Sequence, residues 1–216
     1  MSERRKDLAC VAALIALTAA VYWPLVRGVT PFSTDHNYHL YKVVETEALL
    51  ARGRLFGWTD AEFAGYPHNV LYPFAGYLVV AALDALPGVS LERAYAWTLF
   101  ATWLAALLSV FLAARMHLSR AAGVAAALFA LFDPGGWWVG GHQFVMKNGI
   151  WLPTIAGALT LVALALAPRA VARGRVGGRT GLAMTGALLG VGILFHPLAL
   201  LLAIAAFIPF VIALLT

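Results

Sequence analysis

AYAWTLFATWLAALLSVFLAA, residues 94–114, is an apolar run with no charged side chain. A helix needs ~20 mostly apolar residues to cross a ~30 Å hydrocarbon core, so this stretch is long enough to span a bilayer. Apolar runs at Leu8–Val26, Leu71–Leu86, Ala121–Phe132, Ile150–Ala167, Leu182–Phe195 and Leu198–Leu215 surround it. They are continuous in Leu, Ala, Val and Phe instead of alternating with period two, which favours helices over a barrel. The chain is 62% hydrophobic and 12% charged, against ~45–50% and ~25% for an average soluble domain. Its mean hydropathy is +0.83. These features predict an all-α, polytopic transmembrane helix bundle of six to seven apolar segments, a single domain over residues 1–216.

The net charge of +5 does not point to nucleic acid, because the basic residues sit beside apolar runs: Arg4, Arg5 and Lys6, then Arg169, Arg173, Arg175 and Arg179. Such clusters follow the positive-inside rule and report orientation. The partner they imply is the lipid bilayer. Cys10 is the only cysteine, so no intrachain disulfide forms and a thiol-ligated metal site has no basis. The basic start and apolar middle of 1–23 resemble a signal peptide. Tyr22, Trp23 and Pro24 stand where small cleavage-site residues belong, however, and aromatics there suit an uncleaved anchor. The expected location is the inner (plasma) membrane, multi-pass, with the N-terminus cytoplasmic.

Segment 27–70 is then an extracytoplasmic loop. It holds Asp35, Glu45, Glu47, Asp60 and Glu62, with His36, His39 and His68. Tyr38–Leu50 carries apolar residues at helical spacing and predicts a short amphipathic helix at the membrane surface. Gly53, Gly57, Gly65 and Pro67 then make turns. Seven crossings would put Arg169–Arg179 outside. Six keep it inside as a basic cytoplasmic loop, 168–179, if Leu71–Leu86, with Asp84, Pro73 and Gly76, dips into the membrane without crossing. The last residues, Ala213 to Thr216, lie in an apolar run with no polar flank, which suggests the amino-terminal part of a longer protein.

Thr34-Asp35-His36-Asn37-Tyr38-His39-Leu40-Tyr41-Lys42 is the densest polar cluster. A carboxylate partly desolvated at the mouth of a membrane cavity suits general-base work, which makes Asp35 the first catalytic candidate. His36 and His39, about one helical turn apart, would orient it, bind phosphate when charged, or ligate a metal. The plainer alternative is a solvated surface helix with Asp35 as its N-cap. Gly65-Tyr66-Pro67-His68-Asn69-Val70-Leu71-Tyr72-Pro73 joins turn formers to aromatics where the chain re-enters the membrane. Tyr66, His68 and Tyr72 would line a substrate entrance there, or form only an aromatic belt. The loop from Asp133 to Gly149 offers Lys147 as a phosphate-binding point charge and Asp133 as a second carboxylate, while Trp137 and Trp138 read as anchors. His196-Pro197 interrupts an apolar stretch, either as an intramembrane functional group or as a simple helix break.

A first span followed by a loop with an acid near its start, a surface helix and a Gly-Tyr-Pro…Tyr-Pro re-entry resembles the amino-terminal module of the GT-C superfamily of membrane glycosyltransferases. The sequence is more similar to bacterial membrane proteins labelled 6-pyruvoyl-tetrahydropterin synthase-related. The matching residues are Thr34-Asp35-His36 with His39-Leu40, Gly53 in the Ala51-Arg52-Gly53 turn, Trp58, Gly65-Tyr66-Pro67 and Tyr72-Pro73. The likeness covers about forty residues in motif and the rest only in layout. It implies a GT-C-like fold and inverting transfer of a sugar from a polyprenyl-phosphate donor at the outer face, with Asp35 as base or metal-orienting group. Lys42 and Lys147 would then serve the substrate, and a divalent cation (Mg or Mn) could assist. Many GT-C enzymes carry paired acids at this place. Here His36 follows Asp35, so a second acid would be Glu45, Asp133 or neither. The other classes are a transporter or lipid-handling protein using His196 and Asp84, and a non-catalytic scaffold. Soluble pterin chemistry has no support, since no histidine triad in a β framework is visible.

Overall fold

The computed structural model describes residues 2–215 except 62–63, 71, 136–140 and 173, and of the side chains it leaves aside those of 174–177 and 209–215. Glu62, Leu71, Trp137, Trp138, Arg173 and the side chain of Arg175 therefore lie outside the described residues. The chain is mostly helical.

Helix α1, Glu3–Val21, starts at Ser2, whose hydroxyl accepts the Arg5 N–H at 3.4 Å, and Glu3 complements the helix dipole. It stops at Tyr22, and a one-turn α2, Trp23–Val26, follows. Pro24 has no N–H for the helical ladder and disfavours helical backbone before it, so the run Leu8–Val26 is divided. Next come α3, His36–Leu50, and a small antiparallel hairpin of β1, Gly57–Thr59, and β2, Tyr66–His68, in which Trp58 faces Pro67. Helix α4, Ala75–Asp84, leads to the long α5, Leu91–His117, which Ser90 caps through the Arg93 N–H. Then follow α6, Arg120–Phe132, the short α7, Gly141–Met146, and three long helices: α8, Leu152–Ala172, α9, Gly174–Phe195, and α10, Leu198–Leu215.

Among the described residues three helices are long and apolar enough to cross a membrane: Leu91–His117, Leu152–Ala172 and Gly178–Phe195. Ala75–Asp84, Arg120–Phe132 and Leu198–Ile208 are apolar but shorter. Of the six to seven apolar segments of the sequence reading, three among the described residues reach membrane-crossing length, and the others form shorter apolar helices or helices with charged ends. At ~1.5 Å per residue α4 rises only ~15 Å, and the first turns of α1 carry Glu3, Arg4, Arg5, Lys6 and Asp7. The hairpin is a departure from all-α, and the expected basic loop 168–179 is largely helix, because α8 continues through Arg169 to Ala172 and α9 begins at Gly174. Arginine is a good helix former, so helices extend past their apolar part.

Helix α5 is the central post, in contact with α2, α4, α6 and α8. Gly123 lets α6 come close: a Cβ there would meet the Phe111 carbonyl oxygen at 2.8 Å. At one end Asp7 accepts from Arg115 at 2.9 Å and from Arg120 at 2.7 Å, Glu3 accepts from Arg120 at 2.6 Å, and Arg169 donates to the Met116 carbonyl. The start of α1, the α5–α6 corner and the end of α8 therefore meet at a basic end. At the opposite end the main core gathers Val43, Tyr77, Val80, Tyr95, Leu99, Trp151 and Leu152, under α3.

Candidate functional site

Helix α3 turns an unusual face to the core. Its buried residues are His36, His39, Lys42, Val43, Thr46 and Leu49, while Tyr38, Val44 and Leu50 are exposed. The spacing is helical, as expected, but most of the inward residues are polar. Buried polar groups need partners, and the core supplies them.

His36 is fully buried and held at both ring nitrogens: Nε2 lies 3.0 Å from the Met146 carbonyl oxygen and Nδ1 2.9 Å from the Tyr95 hydroxyl. A carbonyl only accepts, so Nε2 carries the proton and Nδ1 accepts from Tyr95. Burial favours this neutral form and pushes the ring's pKa down, against the opposing pull of Met146 and Asp35. His39 Nδ1 meets the Tyr77 hydroxyl at 3.0 Å. Burial, then the nearby His36, lowers its pKa to about 4, although a backbone hydrogen bond to Gly149 opposes the shift. Neither histidine has the free nitrogen a metal or phosphate needs. Among the described residues no three His, Cys, Asp or Glu side chains converge on a metal-sized site.

One turn further, Lys42 is 2% exposed, with its ammonium 3.9 Å from the Tyr66 ring centroid, 4.9 Å from Tyr38 and 5.9 Å from Tyr41. The cation stands inside a tyrosine box. His68, expected at an entrance, is fully buried instead. Its Nε2 lies 3.0 Å from the Thr46 hydroxyl and 3.2 Å from the Lys42 carbonyl, and Asn69 donates to Leu55 O at 2.9 Å. Together these bonds pin the hairpin to α3.

Asp35 occupies the N-cap position of α3, yet its side chain makes no capping hydrogen bond. The carboxylate is exposed, not desolvated as the sequence reading expected. Its backbone, by contrast, is held from two sides: the Asp35 N–H donates to Asn148 O at 3.3 Å and the Asp35 carbonyl accepts from His39 N at 2.9 Å. The hydroxyls of Ser33 and Thr34 both donate to the Lys147 carbonyl, Thr34 at 2.9 Å. Gly149, at φ +78°, completes the seat, since a Cβ there would lie 2.9 Å from His36 N and 3.0 Å from the Asp35 carbonyl carbon. Tyr72 is half-buried, packs against Tyr77 and His196, and has its pKa raised by burial, then by the charge of Asp35 and by Tyr66.

The remaining candidates fall apart from this centre. Lys147 is exposed and adjacent through its backbone. Asp133 caps α6 and its Oδ1 accepts the Gly135 N–H at 2.9 Å, which makes it a turn former. Glu45 lies ten residues along the same helix, ~15 Å from Asp35, too far to share one ion with it. Asp84 ends α4 beside Glu47, whose pKa is raised by burial and then by the Asp84 charge. The sequence reading missed Tyr77, Tyr95, Trp151 and Gly149. The signal was present in the two tyrosines, since a phenol inside an apolar run needs a partner when buried, and the loop histidines are those partners. Compared with protein-family profiles, with curated proteins and with solved structures, the chain matches none.

Proposed function

We propose that this chain is a GT-C-type membrane glycosyltransferase acting on a polyprenyl-phosphate-linked sugar at the extracytoplasmic face of the inner membrane. The observation that carries the reading is the contrast at Asp35: a carboxylate with no hydrogen bond among the described residues, on a backbone fixed by Asn148, Gly149 and the doubly anchored His36. Holding a reactive group rigidly while leaving it unengaged is the arrangement that positioned catalysis requires. In the reaction Asp35 accepts the proton of an acceptor hydroxyl as that oxygen bonds to the anomeric carbon. The bond from that carbon to the phosphate oxygen breaks, its electron pair leaves on polyprenyl phosphate, and the configuration inverts. The Tyr72 hydroxyl, held in its protonated form, donates to the departing phosphate.

The topology that suits this reading has six crossings, α1, α5, α6, α8, α9 and α10, with α4 re-entrant and the N-terminus cytoplasmic. The meeting of Glu3–Asp7, Arg115–Arg120 and Arg169 at one end supports it, because all these basic residues then face inside. The lipid-handling alternative loses its intramembrane Asp84, which sits beside Glu47 of α3.

The test supplies membranes carrying the full chain with a panel of polyprenyl-phosphate hexoses and pentoses labelled in the sugar, and measures released polyprenyl phosphate. Asp35→Ala and Asp35→Asn are expected to lower release by ~10²–10⁴-fold at unchanged expression. Full activity in both variants, or no release by the wild type across the panel, overturns the assignment.

A further inference from the structure

The basic end of the bundle holds a cleft that the proposed reaction does not use. Its volume is about 170 Å³, and it opens between the end of α5, the end of α8 and the start of α9. Met116, Leu166, Ala170 and Met184 line it with apolar surface, and Arg169 and Thr180 bring polar groups to it. Leu152–Ala172 and Gly178–Phe195 are both of membrane-crossing length, so the cleft lies where two apolar helices reach their polar boundary.

Charge separates this cleft from a simple packing gap. Among the described residues this end carries Arg4, Arg5, Lys6, Arg115, Arg120, Arg169 and Arg179 against only Glu3 and Asp7. Those two acids are already taken: Asp7 by Arg115 and Arg120, Glu3 by Arg120 and Lys6. Arg169, which lines the cleft, donates one N–H to the Met116 carbonyl, and a guanidinium carries five N–H donors in all. A guanidinium and a hydroxyl above an apolar slot are complementary to a phosphodiester carrying acyl chains.

We propose that this cleft binds one anionic phospholipid, with the phosphate on Arg169 and Thr180 and an acyl chain along Leu166 and Met184. The test uses native mass spectrometry of the full chain from micelles doped with dioleoyl-phosphatidylglycerol or dioleoyl-phosphatidylcholine, with glycerol 3-phosphate and inorganic phosphate as soluble arms. The wild type retains phosphatidylglycerol in preference to phosphatidylcholine. Arg169→Gln weakens retention about five- to tenfold, and Thr180→Leu, which crowds the cleft without touching the Met116 contact, does the same. Arg4→Gln, remote from the cleft lining, changes it less than about twofold. If Arg169→Gln unsettles the fold, Thr180→Leu decides. Equal retention of the two lipids, equal loss in Arg4→Gln, or soluble phosphates binding as tightly as the lipid would each refute the site.

Discussion

Gly149→Ala tests whether the two outer loops form one rigid site. Gly149 sits at φ +78°, where a side chain costs roughly 1–2 kcal/mol. The new Cβ would also lie 2.9 Å from His36 N, 3.0 Å from the Asp35 carbonyl carbon and 3.1 Å from Asp35 Cβ. Those atoms cannot yield cheaply, because His36 is held by Tyr95 and Met146 on its two nitrogens. The overlap adds roughly 1–3 kcal/mol, as overpacking typically does. Gly53 provides the control: its φ is +68°, and a Cβ there meets nothing within 4 Å, so Gly53→Ala carries only the backbone cost. Equilibrium unfolding in mixed micelles should therefore place Gly149→Ala below Gly53→Ala by about 1–3 kcal/mol. Hydrogen exchange should quicken at the amide of Asp35, which bonds across to Asn148. Equal stability of the two variants, with unchanged exchange, would refute the docking of 146–149 on Asp35.

His39, neutral when folded with a pKa of about 4, binds fewer protons than in the unfolded chain between that value and its ordinary 6.5. Stability is full above pH 6.5 and falls as the pH drops toward 4, by about 3 kcal/mol; unfolding titrations should show this slope and His39→Gln should remove it. Glu47 titrates the opposite way: its raised pKa means that stability is lost as pH rises through it, so Glu47→Gln should improve the unfolding midpoint at pH 8 more than at pH 4. Lys42→Met keeps the length but removes the cation from the tyrosine box, and should cost at least about 1 kcal/mol in the same unfolding assay. Asp35→Asn, exposed and without a cap bond, should leave stability within about 0.5 kcal/mol while it abolishes transfer, a split that separates a working carboxylate from a structural one.

The sequence by itself determined the solvent and the helices. Continuous apolar runs such as 94–114 have one stable form in hydrocarbon, because every backbone N–H and C=O must be satisfied within the segment. It also placed the polar loop and the helix following Asp35, since helical periodicity is a local property. Tertiary structure alone decided which side of α3 faces inward. The apolar spacing from Tyr38 to Leu50 predicted an amphipathic helix at the membrane surface, yet the side of it that is buried in the protein carries His36, His39, Lys42 and Thr46, and Val44 is exposed. Burying polar groups is favourable only where partners stand ready, and those partners, Tyr77, Tyr95 and the Met146 carbonyl, are 38, 59 and 110 residues away in the chain. Local spacing carries no record of pairings at that distance. For the same reason the sequence left Glu45 and Asp133 open as a second acid beside Asp35. In the fold one lies ~15 Å up the helix and the other closes a turn, which leaves Asp35 as the carboxylate on the seat built by Asn148 and Gly149.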